Sequence, residues 1–164
     1  MKSTIRLITI LCLGLSFTCN AEAQQKSKPK PPVRPSAATY PKVEYLSSAS
    51  PRPLPFSEAV RVGHMLYLSG KLGTDSSGLV PGGIKAETKQ TLENIRGALE
   101  RNGSSLNEVV KCTVMLADMS EWGAMNEVYT TYFTKDRLPA RSAFGVNGLA
   151  LNARVEIECL ATVR

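Results

Sequence analysis

The sequence predicts one α+β domain in which two helices cover one face of a mixed, mostly antiparallel sheet. Residues 153–163 alternate strictly between apolar and polar side chains, which is typical of a strand with one buried face. Residues 84–102 carry an apolar stripe at helical spacing, and a second such stripe covers residues 121–133. Strands are predicted before, between and after these segments, so both helices are expected to share one sheet face.

The first part of the domain is predicted to consist of strands and turns. Residues 43–46 form a weak first strand, and residues 50–55, with three prolines, form a loop. A hairpin is expected over residues 57–69, because two apolar runs there flank the short turn at Gly63 and His64.

The middle of the domain alternates between helices and a strand. A glycine-rich connection over residues 72–83 leads to the first helix, which a glycine ends. The strand predicted over residues 109–117 is the most apolar one in the chain. Ser120 is expected to cap the second helix, because serine side chains accept hydrogen bonds from the first free amides of a helix.

The last two strands, residues 140–146 and 153–163, are predicted to form a hairpin that is flanked by Arg141 and Glu156. An arginine binds carboxylates and a glutamate can activate water, so this pair is a candidate site. The alternative is a solvated polar sheet face, in which Arg141 or Arg154 forms a cross-strand ion pair. Glu158 shares one side of the strand with Glu156, and spacing does not separate their roles.

The sheet face that the helices leave uncovered has a mixed character. Its predicted residues combine apolar, polar and charged side chains: Thr113, Met115, Arg154, Glu156 and Leu160. A face of this kind on a single small domain predicts that another subunit covers it, and hence an oligomer.

Residues 1–23 have the pattern of a targeting segment. Two basic residues precede an apolar stretch, and a small-x-small cleavage site follows at residues 21–23. No segment reaches the ~20 apolar residues that a transmembrane helix needs. We therefore expect an exported protein, periplasmic or secreted, with lipid attachment at Cys19 as the alternative.

Residues 24–41 contain five prolines and four basic residues, and they predict an extended tether. This tether is either a soluble spacer or a segment that binds an anionic surface. The domain itself is expected over residues 42–164. Six of the 20 lysines and arginines precede it, so the domain is nearly neutral and a nucleic-acid partner is not expected.

Several common kinds of site have no residues from which to be built. The domain has one histidine, His64, and two cysteines, Cys112 and Cys159, on apolar strand faces. These cysteines are expected to be buried thiols, with a disulfide as the alternative. A metal site, a serine–histidine triad and a phosphate-binding loop are therefore not predicted, and no cofactor is expected.

The residues that remain are one guanidinium, one or two carboxylates and backbone amides at Gly70. Such a site suits a small anionic substrate whose reaction is not intrinsically difficult. Hydrolysis of an imine fits this requirement, because a protonated C=N bond is already electrophilic and the protein needs only to hold the substrate and deliver water.

Seven segments in order resemble the RidA (YjgF/YER057c/UK114) family, and together they cover nearly all of residues 43–164. The segments are Pro55–Ala59, Leu68–Lys71, Thr91–Asn94, Val109–Val114, Met125–Tyr129, Pro139–Ser142 and Val155–Glu158. The resemblance implies a chorismate-mutase-like fold and a homotrimer with its sites in the clefts between subunits. It also implies hydrolysis of 2-aminoacrylate, 2-iminopropanoate or 2-iminobutanoate to 2-keto acids and ammonia.

The resemblance also implies roles for individual residues. Arg141 would bind the substrate carboxylate and Glu156 would position or activate the water. Asn126 matches a position that lines the cleft, and the backbone of Gly70 would orient the substrate.

Four departures from the family pattern bear on substrate range. Phe56 stands where many members have tyrosine, and Lys71 replaces a common glutamine. Ala143 stands where some members have cysteine, and Leu149-Ala150-Leu151-Asn152 replaces the commonest Leu-Pro-Lys-Gly turn, which makes the loop beside the cleft more apolar. Phe56 and Ala143 are nevertheless expected to line the substrate site.

Three other functions stay open. A trimer of the same fold could bind small ligands, or act like a chaperone, without catalysis. RNA cleavage, a role sometimes attributed to members of this family, would need a basic track and an acid–base pair, neither of which the nearly neutral domain offers. A chorismate mutase would share the fold and would be recognised by the formation of prephenate.

Overall fold

The computed structural model describes residues 40–48 and 54–164. The predicted targeting segment, Cys19, most of the tether and most of the loop over residues 50–55 lie outside these residues. The boundaries of these segments and of the domain therefore stay predictions.

Nine strands and two α-helices make up the described part of the chain. The strands are β1 Val43–Leu46, β2 Ala59–Val62, β3 Met65–Leu68, β4 Lys71–Leu72, β5 Thr74–Asp75, β6 Gly78–Leu79, β7 Val109–Leu116, β8 Ala140–Gly145 and β9 Val155–Thr162. The helices are α1 Gly83–Arg101 and α2 Trp122–Tyr129, and short 3-10 turns lie at Leu106–Glu108, Met119–Glu121, Thr130–Tyr132 and Ala150–Asn152.

The main sheet has the strand order β1-β2-β3-β9-β7-β8, and β4 pairs with β9 next to β3. Every pairing in it is antiparallel except that between β7 and β8. Strands β5 and β6 form a small separate ribbon. The prediction of a mixed, mostly antiparallel sheet is confirmed.

Both helices pack on the same face of this sheet. The stripe predicted for α1 is buried, with Leu92, Ile95 and Leu99 fully inaccessible to solvent. These residues pack against the inward side chains of β7 and β9, such as Val114 and Ile157. Burial of each large apolar side chain stabilises the fold by about 1.5–3 kcal/mol, so this interface is the main core.

The glycine-rich connection is more ordered than predicted, since it contains β4, β5 and β6. Gly73 lies in direct contact with α1, and a Cβ at this position would come within 2.5 Å of the Glu87 carbonyl oxygen. Asn94 of α1 fastens the same segment, because its amide donates to the carbonyls of Leu72 and Thr74 at 2.9 and 2.8 Å.

The hairpin predicted for the last two strands is wrong. Strand β7 lies between β8 and β9, so Cys112 is opposite both Arg141 and Cys159. The chain from β7 to β8 passes through α2, and a crossover of this kind brings the next strand back parallel. Strand β8 consequently forms one edge of the sheet, two strands away from its predicted partner.

The start of the second helix also differs from the prediction. Asp118, not Ser120, provides the cap, since its carboxylate accepts a hydrogen bond from the Ser120 amide at 2.8 Å. The segment begins and ends as 3-10 turns around a shorter α2.

No helix or strand among residues 40–48 and 54–164 covers the face of the sheet opposite the helices. Thr113, Met115, Glu156 and Leu160 lie on it as predicted, because they alternate with the buried residues of β7 and β9. Arg154 does not join them: its guanidinium contacts Glu121, and its amide donates to Glu87 of α1. None of the described helices is long and apolar enough to cross a membrane.

Candidate active site

Arg141 lies on the edge strand β8, on the side that faces the helices. It is paired with the buried Cys112, and its guanidinium carbon lies 4.5 Å from the ring centre of Tyr129 and 5.9 Å from that of Trp122. Within the described residues it forms no ion pair or side-chain hydrogen bond. The two aromatic rings orient the cation from below and leave its N–H groups free to donate to a ligand.

A cavity of about 280 Å³ opens beside this guanidinium; we call it the Arg141 pocket. It is lined by Asn126, Tyr129, Thr130, Leu138, Pro139 and Arg141. Two buried polar atoms here, Asn126 Oδ1 and Tyr129 Oη, have no hydrogen-bond partner among the described residues. Buried polar groups are normally paired, so these atoms mark a place where a ligand or water completes the structure.

The Tyr129 hydroxyl is kept protonated by its surroundings. Burial, together with the neighbouring Cys112 and Cys159 thiols, raises the pKa of Tyr129 above its usual range. A neutral hydroxyl brings no negative charge to the neighbouring guanidinium, which stays available to an anion. The Arg141 pocket therefore has the chemistry of a carboxylate-binding site.

Glu156 lies on β9, on the opposite side of the sheet from the helices. It is paired with Met115 of β7 and Leu72 of β4. Its carboxylate lies against Gly70 so closely that any side chain at residue 70 would collide with Oε1. A larger residue here would displace the Glu156 carboxylate, and Gly70 and Glu156, both assigned to the site from the sequence, are in contact.

Glu156 is a candidate general base. It forms no ion pair or hydrogen bond within the described residues. Burial, and to a smaller extent the adjacent Glu158 carboxylate, raises the pKa of Glu156. A raised carboxyl pKa makes the group a better acceptor of a proton from water near neutral pH.

A second cavity, of about 500 Å³, lies where β4 meets α1; we call it the Gly70 pocket. Its lining includes two predicted substrate-binding residues, Phe56 and Gly70, together with Leu54, Lys71, Leu72, Thr74, Glu93, Asn94, Gly97, Arg101 and Leu151. Beside it, the buried carboxylate of Glu58 pairs with Lys71 at 3.2 Å and with Arg101 at 2.7 Å.

One chain does not bring all the predicted residues together. Asn126 and Ala143 lie on the helix side with Arg141, where Ala143 packs against the core. Phe56 and Gly70 line the other pocket, and Glu156 contacts Gly70. Arg141 and Glu156 point to opposite faces of the sheet and are separated by β7. A single chain therefore holds the predicted residues in two separate groups.

Sequence reasoning missed several residues that shape these pockets. Tyr129 lies on the buried stripe predicted for the second helix, but its contact with Arg141 and that of Trp122 were not predicted. The Glu58 network was missed because its partners lie 13 and 43 residues away in sequence.

The two cysteines of the domain are free and buried. A hydrogen bond with Cys112, followed by burial, raises the pKa of the Cys159 thiol, which makes it a poor nucleophile at neutral pH. Among residues 40–48 and 54–164, no cluster of histidine, cysteine, aspartate or glutamate could hold a metal ion.

Comparison with models of known protein families identifies the family of this chain. A model of the family described as Endoribonuclease L-PSP matches residues 48–163. The chain belongs to this family. The RidA resemblance seen in the sequence is confirmed, because curated members of the endoribonuclease L-PSP family with RidA-type names are close relatives.

Two mammalian relatives illustrate the similarity within the endoribonuclease L-PSP family. The 2-iminobutanoate/2-iminopropanoate deaminase of Mus musculus is 50% identical over 109 residues, which is 65% of this chain and 80% of the mouse protein. The human protein of the same name is 45% identical over 109 residues, 65% of this chain and 79% of the human protein.

Solved structures of the family agree with the fold. RidA from the Antarctic bacterium Psychrobacter sp. is 35% identical with a TM-score of 0.64, and the match covers 76% of this chain and 99% of that one. Yeast Mmf1 is 32% identical with a TM-score of 0.69, over 75% of this chain and all of that one.

Proposed function

We propose that this protein hydrolyses small 2-imino acids and their enamine tautomers to 2-keto acids and ammonia. The proposed substrates are 2-aminoacrylate, 2-iminopropanoate and 2-iminobutanoate. One observation carries the proposal: the Arg141 guanidinium, which forms no ion pair within the described residues, lines an open pocket, as a carboxylate ligand requires. The deaminase names of the mouse and human relatives support the same reaction.

The proposed mechanism divides the work between two residues. Arg141 binds the substrate carboxylate through two parallel hydrogen bonds, which fixes the position of the neighbouring C=N carbon. Glu156 accepts a proton from water as the water oxygen attacks the carbon of the protonated C=N bond, which gives a neutral carbinolamine. The protonated Glu156 then donates this proton to the carbinolamine nitrogen and is again a carboxylate. The C–N bond breaks to release ammonia while the C=O bond forms, and the hydroxyl proton of the carbinolamine passes to solvent.

This division requires two subunits, because Arg141 and Glu156 lie on opposite faces of one sheet. We place the active site where the Arg141 pocket of one subunit meets the Gly70 pocket of the next. The uncovered sheet face supports assembly, since Tyr45, Tyr67 and Phe144 on it are 75%, 45% and 45% exposed. Large apolar side chains at such exposure usually meet a partner. We propose a homotrimer, in agreement with the sequence resemblance.

The test is release of keto acid and ammonia from 2-iminopropanoate that an amino-acid oxidase generates from alanine. We expect the purified protein to accelerate release and Arg141→Ala to abolish the acceleration. Arg137→Ala is the matched control, because Arg137 is exposed and lines neither pocket. An assembled protein that leaves the rate of release unchanged would contradict the proposal.

Measurements on the same purified protein distinguish the deaminase from the alternative, a ligand-binding trimer without catalysis. It predicts that 2-keto acids bind while imines are not hydrolysed, and that Glu156→Gln changes neither result.

RNA cleavage receives no support from the single histidine. His64 lies exposed in the turn between β2 and β3, where Nδ1 is 3.2 Å from the Val163 carbonyl oxygen.

We further propose that the protein acts outside the cytoplasm, as the pattern of residues 1–23 predicts. Deletion of residues 2–23 should retain the protein in the cytoplasmic fraction, whereas the full chain should appear as a processed species outside it. A full chain that stays unprocessed and cytoplasmic would contradict the exported location.

A further inference from the structure

The Gly70 pocket is larger than the methyl or ethyl group of the proposed substrates requires. Its volume of about 500 Å³ lies within the range of pockets that bind small organic ligands. Four charged or amide side chains line it, so the first question is whether these groups demand a polar ligand.

The two cations of the wall are already paired. Lys71 and Arg101 both contact the Glu58 carboxylate, whose side chain is buried. These ion pairs lower the pKa of Glu58, although its burial acts in the opposite direction. The carboxylate is therefore ionised and holds each cation in an ion pair, and its charge compensates one of the two positive charges.

The other two polar side chains of the wall are also occupied. Asn94 donates both amide hydrogens to the carbonyls of Leu72 and Thr74, and its own oxygen accepts from Gln90 at 3.0 Å. Glu93 accepts from the Tyr132 hydroxyl at 2.7 Å and from Arg96 at 2.8 Å. All four side chains therefore have partners within the protein, although Lys71 and Arg101 keep further N–H donors and Arg101 is half exposed.

The apolar side chains of the wall have the opposite character. Leu54, Phe56 and Leu151 are 45%, 55% and 67% exposed, and all three line this one pocket. Exposed apolar side chains that cluster around a cavity mark a surface that an apolar group covers.

Leu151 is held at this place by an unfavourable backbone. Its φ is 61°, and the next residue, Asn152, has a φ of 59°. A bulky side chain rarely adopts this left-handed conformation, whereas glycine and asparagine adopt it readily. A leucine retained in such a conformation is consistent with a function of its side chain.

We infer that the Gly70 pocket receives an apolar side chain of the substrate, and that Leu151 makes the protein selective for 2-imino acids with long or branched apolar side chains. This inference rests on the proposed deaminase function and specifies its substrate class. Phe56 and Leu54 form the rest of the apolar wall. Gly70, with the Glu156 carboxylate against it, links this pocket to the reacting carbon.

The experiment compares two imines generated in the assay, one from leucine and one from alanine, with the full-length protein. We expect kcat/KM to be at least about ten-fold higher for the leucine imine, as is usual when an apolar pocket gains several carbon atoms. Leu151→Asn keeps a residue that tolerates the backbone and removes the apolar wall, so the preference should fall by about ten-fold.

Asn152→Gly is the matched control. It relaxes the neighbouring position of the same loop and leaves the wall intact, so the preference should stay at the wild-type value. An unchanged preference in Leu151→Asn overturns the inference. The inference is also overturned if Leu151→Asn changes the oligomeric state, measured by light scattering, while the preference stays constant. Leu151 would then serve subunit contact.

Calorimetric binding of 4-methyl-2-oxopentanoate and pyruvate separates this inference from the proposed function. Tighter binding of the larger keto acid, lost in Leu151→Asn, supports the selectivity even if no imine is hydrolysed, in which case only the deaminase proposal fails. Equal binding of both keto acids by the wild-type protein, with both imines hydrolysed equally, overturns the selectivity and leaves the deaminase proposal intact.

Discussion

The Arg141 pocket and the Gly70 pocket differ in how their charges are compensated. In the Arg141 pocket the cation contacts two aromatic rings, and within residues 40–48 and 54–164 it forms no ion pair and two buried polar atoms lack partners. In the Gly70 pocket the cations are paired with Glu58, and the unpaired lining is apolar. On this difference rests the proposal that the Arg141 pocket binds a charge and the Gly70 pocket accepts an uncharged group, with Glu156 in contact with Gly70 beside it.

The largest expected effect on kcat alone is that of changing Glu156. Glu156→Gln keeps the size of the side chain and removes its basicity, so kcat should fall by about 10²–10⁴-fold. The dissociation constant of a 2-keto acid should change little, because the Arg141 pocket is untouched. Kinetics measure kcat and calorimetry measures the dissociation constant of the keto acid for the same variant. A large loss of keto-acid binding in Glu156→Gln would contradict the assignment of binding to Arg141 and of proton transfer to Glu156.

Arg141 should show the complementary pattern. Arg141→Ala removes the cation that pairs with the ligand carboxylate, so keto-acid binding should weaken by at least about 30-fold, the lower end for loss of one partner of a buried charge pair. Arg141→Lys should recover only part of the affinity, because lysine cannot form two parallel hydrogen bonds. Calorimetry measures both variants, and unchanged affinity in Arg141→Ala would remove the assigned carboxylate site.

The aromatic support of Arg141 should have a smaller effect. Tyr129→Leu removes the ring beneath the guanidinium, and an interaction of about 0.5–2 kcal/mol corresponds to a loss of roughly 2- to 30-fold in keto-acid affinity. Tyr129→Phe retains the ring and is the matched control for orientation. If Phe and Leu weaken binding equally, the hydroxyl rather than the ring is the contributing group.

The smallest expected effect is a shift in pH dependence. The raised pKa of Glu156 means that kcat/KM should fall as the pH drops through that value, because the protonated carboxyl cannot accept a proton from water. Glu158→Gln removes the repulsive neighbouring charge, which lowers the pKa of Glu156 and moves the acid limb to lower pH. A pH–rate profile checks the direction, and a shift to higher pH would contradict it.

Local sequence patterns predicted most of the fold and half of the site's geometry. The stripe of α1 and the alternation of β9 depend on neighbouring residues, and both predictions are confirmed. The contact of Glu156 with Gly70 agrees with their joint assignment to the site. In contrast, the parallel pairing of β8 with β7 depends on the crossover through α2, which no local pattern in residues 140–146 encodes.

The separation of Arg141 from Glu156 follows from that same pairing. A hairpin places neighbouring strands side by side, whereas the inserted β7 places the two residues on different strands and opposite faces. The left-handed conformation of Leu151 was also beyond the sequence, because leucine is not a residue that signals positive φ. The apolar character of this loop, which departs from the family pattern, was nevertheless visible in the sequence.

Subunit complementation tests the central claim most directly. Arg141→Ala and Glu156→Gln subunits, each inactive alone, are mixed by reversible unfolding and reassembly. If the two residues act across a subunit boundary in a ring, random mixing should restore about one quarter of the wild-type deaminase activity. Activity that stays at the level of the separate variants, in mixed oligomers confirmed by mass spectrometry, would contradict a site shared between subunits.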